Sequence, residues 1–153
     1  MKKTLFSLFV ATIALGGIAI AQDDTKKPER KPQAEIASTS ATFATVAAGD
    51  GSVKGALKAT DLDKAKEKQG KTGAFTGKIV KVFAPKSNSI VILNFHEDYK
   101  KAIGAVVDAK NFSKFPKLTE LKGKTVLVTG KFDSYKGAPQ INLTAPGQLK
   151  IVK

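Results

Sequence analysis

From Gly73 onward the chain alternates apolar and polar residues with a period of two, broken at regular intervals by turn residues. That pattern constrains the fold more than any other feature, because successive side chains of a strand point to opposite faces. Phe75 to Phe83 reads as a first strand, with Lys78 and Lys81 among its polar positions. Ala84-Pro85-Lys86-Ser87-Asn88-Ser89 is turn chemistry, and Ile90 to Phe95 reads as a second strand forming a hairpin with the first. His96 to Lys101 is a polar loop holding Tyr99, and Ala102 to Ala109 is a third strand. Asn111 to Leu121, with Phe112, Phe115, Pro116, Leu118 and Leu121, reads as a short irregular helical connection. Lys124 to Phe132 is a fourth strand and Asp133 to Gly137 a turn. Ala138 to Leu143 is a fifth strand, and Gln148 to Val152 a short closing piece. A short helix precedes the first strand, with Thr60 as its cap, Asp61 and Asp63 early, lysines late and Gly70 as its stop, a charge order that suits the helix dipole.

The start of the chain has a different character. Met1-Lys2-Lys3, an uncharged run from Leu5 to Ile18, and Ala19-Ile20-Ala21 have the three parts of a secretory signal peptide. The apolar run is shorter than the roughly 20 residues that span a bilayer. The expected organisation is a signal peptide over 1–21, a flexible leader over 22–55 carrying Pro28 and Pro32, and a β domain over 56–153. The expected location is periplasmic or secreted, with no stable membrane insertion after cleavage. The chain has no cysteine, so neither disulfides nor thiolate metal sites can support it, and its core must be hydrophobic.

Charge bears on partners. The whole chain carries a net +13; residues 22–53 carry −1, and residues 54–153 carry +12. A domain this basic is expected to meet polyanions. Arg30 is the only arginine, so every cation of the β domain is a lysine. Lysine is a hydrated point charge without the planar fork that grips base edges. Weak sequence preference and strong salt dependence follow for any nucleic-acid ligand.

Five strands with a helical segment between the third and fourth give an all-β, five-stranded Greek-key OB-fold barrel. Gly77 and Gly130 suit the bends of a small barrel. Gly123-Lys124-Thr125-Val126-Leu127-Val128-Thr129-Gly130-Lys131-Phe132, followed by Tyr135-Lys136-Gly137-Ala138-Pro139-Gln140-Ile141, resembles the ending of OB-fold nucleic-acid-binding domains of the anticodon-binding type. Gly77 to Val80 and Leu93 to Phe95 resemble their first two strands, so the resemblance covers about residues 70–152. It implies a ligand crossing the second and third strands, clamped by the first and last hairpin loops. Lys86 and Ser87 would lie in one loop and Tyr135 and Lys136 in the other. Asn94 and Phe95 would lie on the second strand, Lys78, Lys81 and Lys131 would add charge, and Tyr99 and Tyr135 would stack on bases. Against that, Phe75, Phe83, Phe95, Phe112, Phe115 and Phe132 are more often core or helix-packing residues, so Phe95 carries both readings.

Catalytic patterns are weak. Ala65 to Thr72 satisfies a relaxed phosphate-loop pattern, but a helix precedes it and a strand follows, the reverse of what that loop needs. His96 is the only histidine, and the acids are scattered. No metal site, cofactor or catalytic triad is expected, and the chain is read as a binding protein rather than an enzyme. The expected partner is single-stranded nucleic acid or another polyanion. A second reading, an envelope or stress-related protein that binds a protein partner, a small ligand or an anionic polymer, fits the export signal and the missing arginines.

Overall fold

A computed structural model describes residues 36–153. The expected signal peptide and the first part of the leader lie outside the described residues. The described chain is mostly β, with a curled sheet and few helices, consistent with an all-β barrel. In order it forms β1 (Thr45–Val46), α1 (Gly51–Lys54), β2 (Leu57–Lys58), α2 (Leu62–Glu67), β3 (Thr72–Lys78), β4 (Lys81–Phe83), β5 (Ile90–Asn94), β6 (Gly104–Asp108), β7 (Thr125–Tyr135), β8 (Ala138–Leu143) and β9 (Leu149–Val152). Short 3-10 turns cover Tyr99–Lys101, Ala109–Lys114, Leu118–Leu121 and Pro146–Gln148.

Nine strands replace the five expected, for local physical reasons. The first expected strand divides at Ile79-Val80, where the chain changes partners. Up to Lys78 it pairs antiparallel with β7, and Ile79 N–H donates to the Lys124 carbonyl oxygen at 2.9 Å. From Val80, whose N–H donates to Asn94 O at 2.9 Å, it pairs antiparallel with β5. β5 pairs antiparallel with β6, β6 parallel with β8, and β8 antiparallel with the second half of β7. The same continuous segment therefore borders both β7 and β5. The other additions are short: β9 continues along the edge of β7, β1 pairs parallel with β9, and β2 pairs parallel with β3.

Alternation places Phe75, Ile79, Val91, Leu93, Ala105, Val107, Val126, Val128, Phe132, Ile141 and Leu143 inside. The connection after β6 contributes Phe112, Phe115, Leu118 and Leu121 to the same core. Burying each large apolar side chain contributes about 1.5–3 kcal/mol, the main support for a chain without disulfides. Two inward positions hold glycine because no side chain fits. A Cβ on Gly77 would lie 2.7 Å from Ala59 Cβ and 3.0 Å from Phe95 Cδ1. A Cβ on Gly130 would lie 2.6 Å from Ile141 Cγ2.

The second half of the expected leader is built into the domain. Phe43 is buried in the core, Ile36 packs against it, and Thr39 N–H donates to Phe115 O at 3.0 Å. The helix cap is Asp61 rather than Thr60; its carboxylate accepts from Lys58 N–H at 3.1 Å and gives the helix no side-chain bond. Gly70 takes a positive φ of 80° beyond the helix, as a stop position requires.

Candidate functional site

The side chains that the alternation turns outward on β4, β5, β6, β8 and the end of β7 share one curved face. Its rows follow from the register. Phe83 lies opposite Ile92, Ile92 opposite Val106, and Val106 opposite Asn142. In the next row Lys81 lies opposite Asn94, and Gln140 lies opposite Gly104 on one side and Asp133 on the other. Three polar side chains at one margin are linked: Gln140 Nε2 donates to Asn142 Oδ1 at 3.1 Å, and Asn142 Nδ2 donates to Asp133 Oδ2 at 3.3 Å. Beside them a shallow, half-open cavity of about 340 Å³ is lined by Gln69, Gly70, Lys131, Phe132, Asp133 and Asn142.

Two ends bound this face. At the end where Ile90 pairs with Asp108, the β4–β5 loop exposes Lys86 and Ser87, and the Ser87 and Ser89 hydroxyls lie 2.9 Å apart. At the other end the β7–β8 hairpin turns through Lys136 and Gly137, both at positive φ (50° and 80°). Tyr135 is 59% exposed there, and Tyr99, in the turn after β5, is 55% exposed. The loop before Tyr99 is ordered locally: Asp98 N–H donates to His96 Nδ1 at 3.0 Å, and Lys100 N–H donates to Asp98 Oδ1 at 3.0 Å.

The predicted site residues divide accordingly. Lys81, Asn94, Lys131 and Tyr135 lie on the outer face, Lys86 and Ser87 at one end, and Tyr99 and Lys136 at the other. Lys78 is exposed but pairs with Thr125 before the change of partners, so it stands on the β7 side, away from the face. Phe95 is a correction. It is buried in the core, its ring edge-on to Phe75 at 5.0 Å, because Val91, Leu93 and Phe95 share the inward parity of their strand. Sequence reasoning missed Phe83, 42% exposed on the outer face, and the polar group Asp133, Gln140 and Asn142.

Residues 54–153 contain 20 lysines and eight acids. Among the described residues the one ion pair is Lys66 with Asp63, at 3.4 Å between exposed side chains. Most of this positive charge therefore faces solvent unneutralised by acidic partners.

No protein-family description matches the chain, and no curated protein matches it by sequence. Among solved structures it is similar to an aspartyl tRNA synthetase from Entamoeba histolytica, at 15% identity and a TM-score of 0.42. That match covers 62% of this chain and 21% of the synthetase chain, so it spans about a fifth of the larger protein.

Proposed function

We propose that the domain is an exported, non-catalytic OB-type barrel that binds single-stranded nucleic acid, or a similar polyanion, across the outer face of β4, β5, β6, β8 and β7. The reading takes β3 with β4 as the first OB strand and β5, β6, β7 and β8 as the second to fifth. The parallel pairing of β6 with β8 and the antiparallel pairing of β3 with β7 support that order. The observation that carries the function is the lysine excess: 20 lysines against eight acids, with a single ion pair among the described residues. Unneutralised lysines attract phosphate or sulfate groups and release counterions on binding. Export rests on the signal-like residues 1–21.

Fluorescence anisotropy of labelled single-stranded DNA and RNA, across a salt series with heparin as competitor, tests the reading. Saturable binding that weakens steeply with salt is expected, with a slope of about 0.7 per neutralised phosphate. Absence of binding even at low salt would overturn it.

A further inference from the structure

Three large apolar side chains are exposed among the described residues: Phe83, Tyr99 and Tyr135. Each lies under a lysine ammonium. Lys81 Nζ stands 5.7 Å from the Phe83 ring centre, Lys100 Nζ 5.9 Å from Tyr99, and Lys136 Nζ 5.4 Å from Tyr135. Phe83 and Tyr135 share the outer face, on strands separated by β5, β6 and β8, and Tyr99 lies at the Tyr135 end. Between them runs the row Lys81, Asn94, Gly104, Gln140 and Asp133, which offers one ammonium, two amides and one carboxylate.

A ring face attracts either a cation or another flat π system. A base-free polyanion offers anions to the lysines but no flat π system to the rings. A polynucleotide offers both complements together, an anionic phosphate and a flat base. The geometry points to three lysine-capped rings that each take one nucleotide: the ammonium leaves the ring for a phosphate, and a base stacks on the face it uncovers. This inference rests on the polyanion-binding function proposed above. It narrows the ligand to single-stranded nucleic acid and adds Phe83 and Lys100 to the site.

The chain supplies its own probe, because Tyr99 and Tyr135 are its only tyrosines and it has no tryptophan. Oligo-dT should quench tyrosine emission by base stacking, beyond any change that heparin causes by drawing Lys100 and Lys136 off the rings. Replacing Phe83, Tyr99 or Tyr135 singly by Leu should weaken oligo-dT binding by about 5- to 150-fold, the range of one base stack, with an unchanged salt slope and unchanged heparin affinity. Lys81→Gln, Lys100→Gln or Lys136→Gln should each lower the salt slope by about 0.7 and weaken heparin as well. Thermal melts of the Leu variants establish that they are folded. If the folded triple Leu variant binds oligo-dT as the parent does, or loses heparin to the same degree, the inference is overturned while polyanion binding stands. If the parent binds neither ligand, the proposed function itself fails.

Discussion

Gln148 and Thr129 hydrogen-bond each other reciprocally. Gln148 Nε2 donates to the Thr129 carbonyl oxygen at 3.1 Å, and Thr129 Oγ1 donates to the Gln148 carbonyl oxygen at 3.3 Å. The remaining atom of the Gln148 amide is used as well. Its Oε1 accepts from Thr144 N–H at 2.8 Å and from Ala145 N–H at 3.0 Å. One side chain thus pins the link between β8 and β9 onto β7. A net hydrogen bond contributes about 1 kcal/mol, so Gln148→Ala should cost roughly 2–3 kcal/mol. For a domain of this size that lowers Tm on the order of 10 °C, which differential scanning calorimetry would detect. An unchanged Tm would mean that solvent replaces these bonds at no cost.

Gly130 sits under that same amide. A Cβ there would meet Ile141 Cγ2 at 2.6 Å and Gln148 Nε2 at 2.9 Å, so the buried Ile141 side chain and the hydrogen-bonded Gln148 amide must both shift. Gly130→Ala should therefore destabilise by about 1–3 kcal/mol, the usual cost of an overpacked core. Urea denaturation should show a lower midpoint with the same slope. A stabilised variant would mean that the strand relaxes freely at this point.

The alternation of residues 73–143 made the main strands legible in the sequence, and it placed Gly77 and Gly130 at close approaches. It misplaced one phenylalanine, Phe83. Phe75 and Phe83 have the same parity, so an unbroken strand would bury both. The change of partners at Ile79-Val80 instead shifts the parity by one, turning Val82 in and Phe83 out. Phe95 has two readings, a ligand-face position by resemblance and a core position by its bulk, and its strand parity turns it inward. β1, β2 and the anchoring of Phe43 were not legible, because two-residue parallel pairings carry no periodicity and depend on contacts distant in sequence. The polar group Asp133, Gln140 and Asn142 appears only once β7 and β8 are in register.

The two phenylalanines give a matched stability test. Phe95→Ala removes a buried ring from beside Phe75 and should cost about 3–5 kcal/mol. Phe83→Ala removes an exposed ring and should change stability by less than about 1 kcal/mol. Equal losses in chemical denaturation would contradict the shift of parity at Ile79-Val80.

Lys136 holds a φ of 50°, a left-handed conformation that two-residue hairpins demand and that suits Asn or Gly better than Lys. The strain costs roughly 1 kcal/mol. Lys136→Gly should therefore raise stability by about that amount while weakening oligonucleotide binding through loss of the ammonium over Tyr135. Melting and anisotropy on one sample separate the two effects. A variant that loses stability would show that the lysine's contacts outweigh the backbone strain.

Asp50 caps α1 and gives the stability curve an acid limb. Its Oδ1 accepts from Ser52 Oγ at 2.6 Å and from Ser52 N–H at 2.8 Å. These bonds, the hydroxyl first, hold its carboxyl below the ordinary aspartate range. A carboxyl whose folded pKa lies below its unfolded one stabilises the fold fully above the unfolded value, about 3.9, and the contribution is lost as pH falls through the folded value. The stability difference between the parent and Asp50→Ala should therefore be level at neutral pH and shrink only below about pH 4. Ser52→Ala should raise the Asp50 titration midpoint measured by carboxyl-carbon NMR. An unmoved midpoint would show that the backbone N–H alone holds the charge.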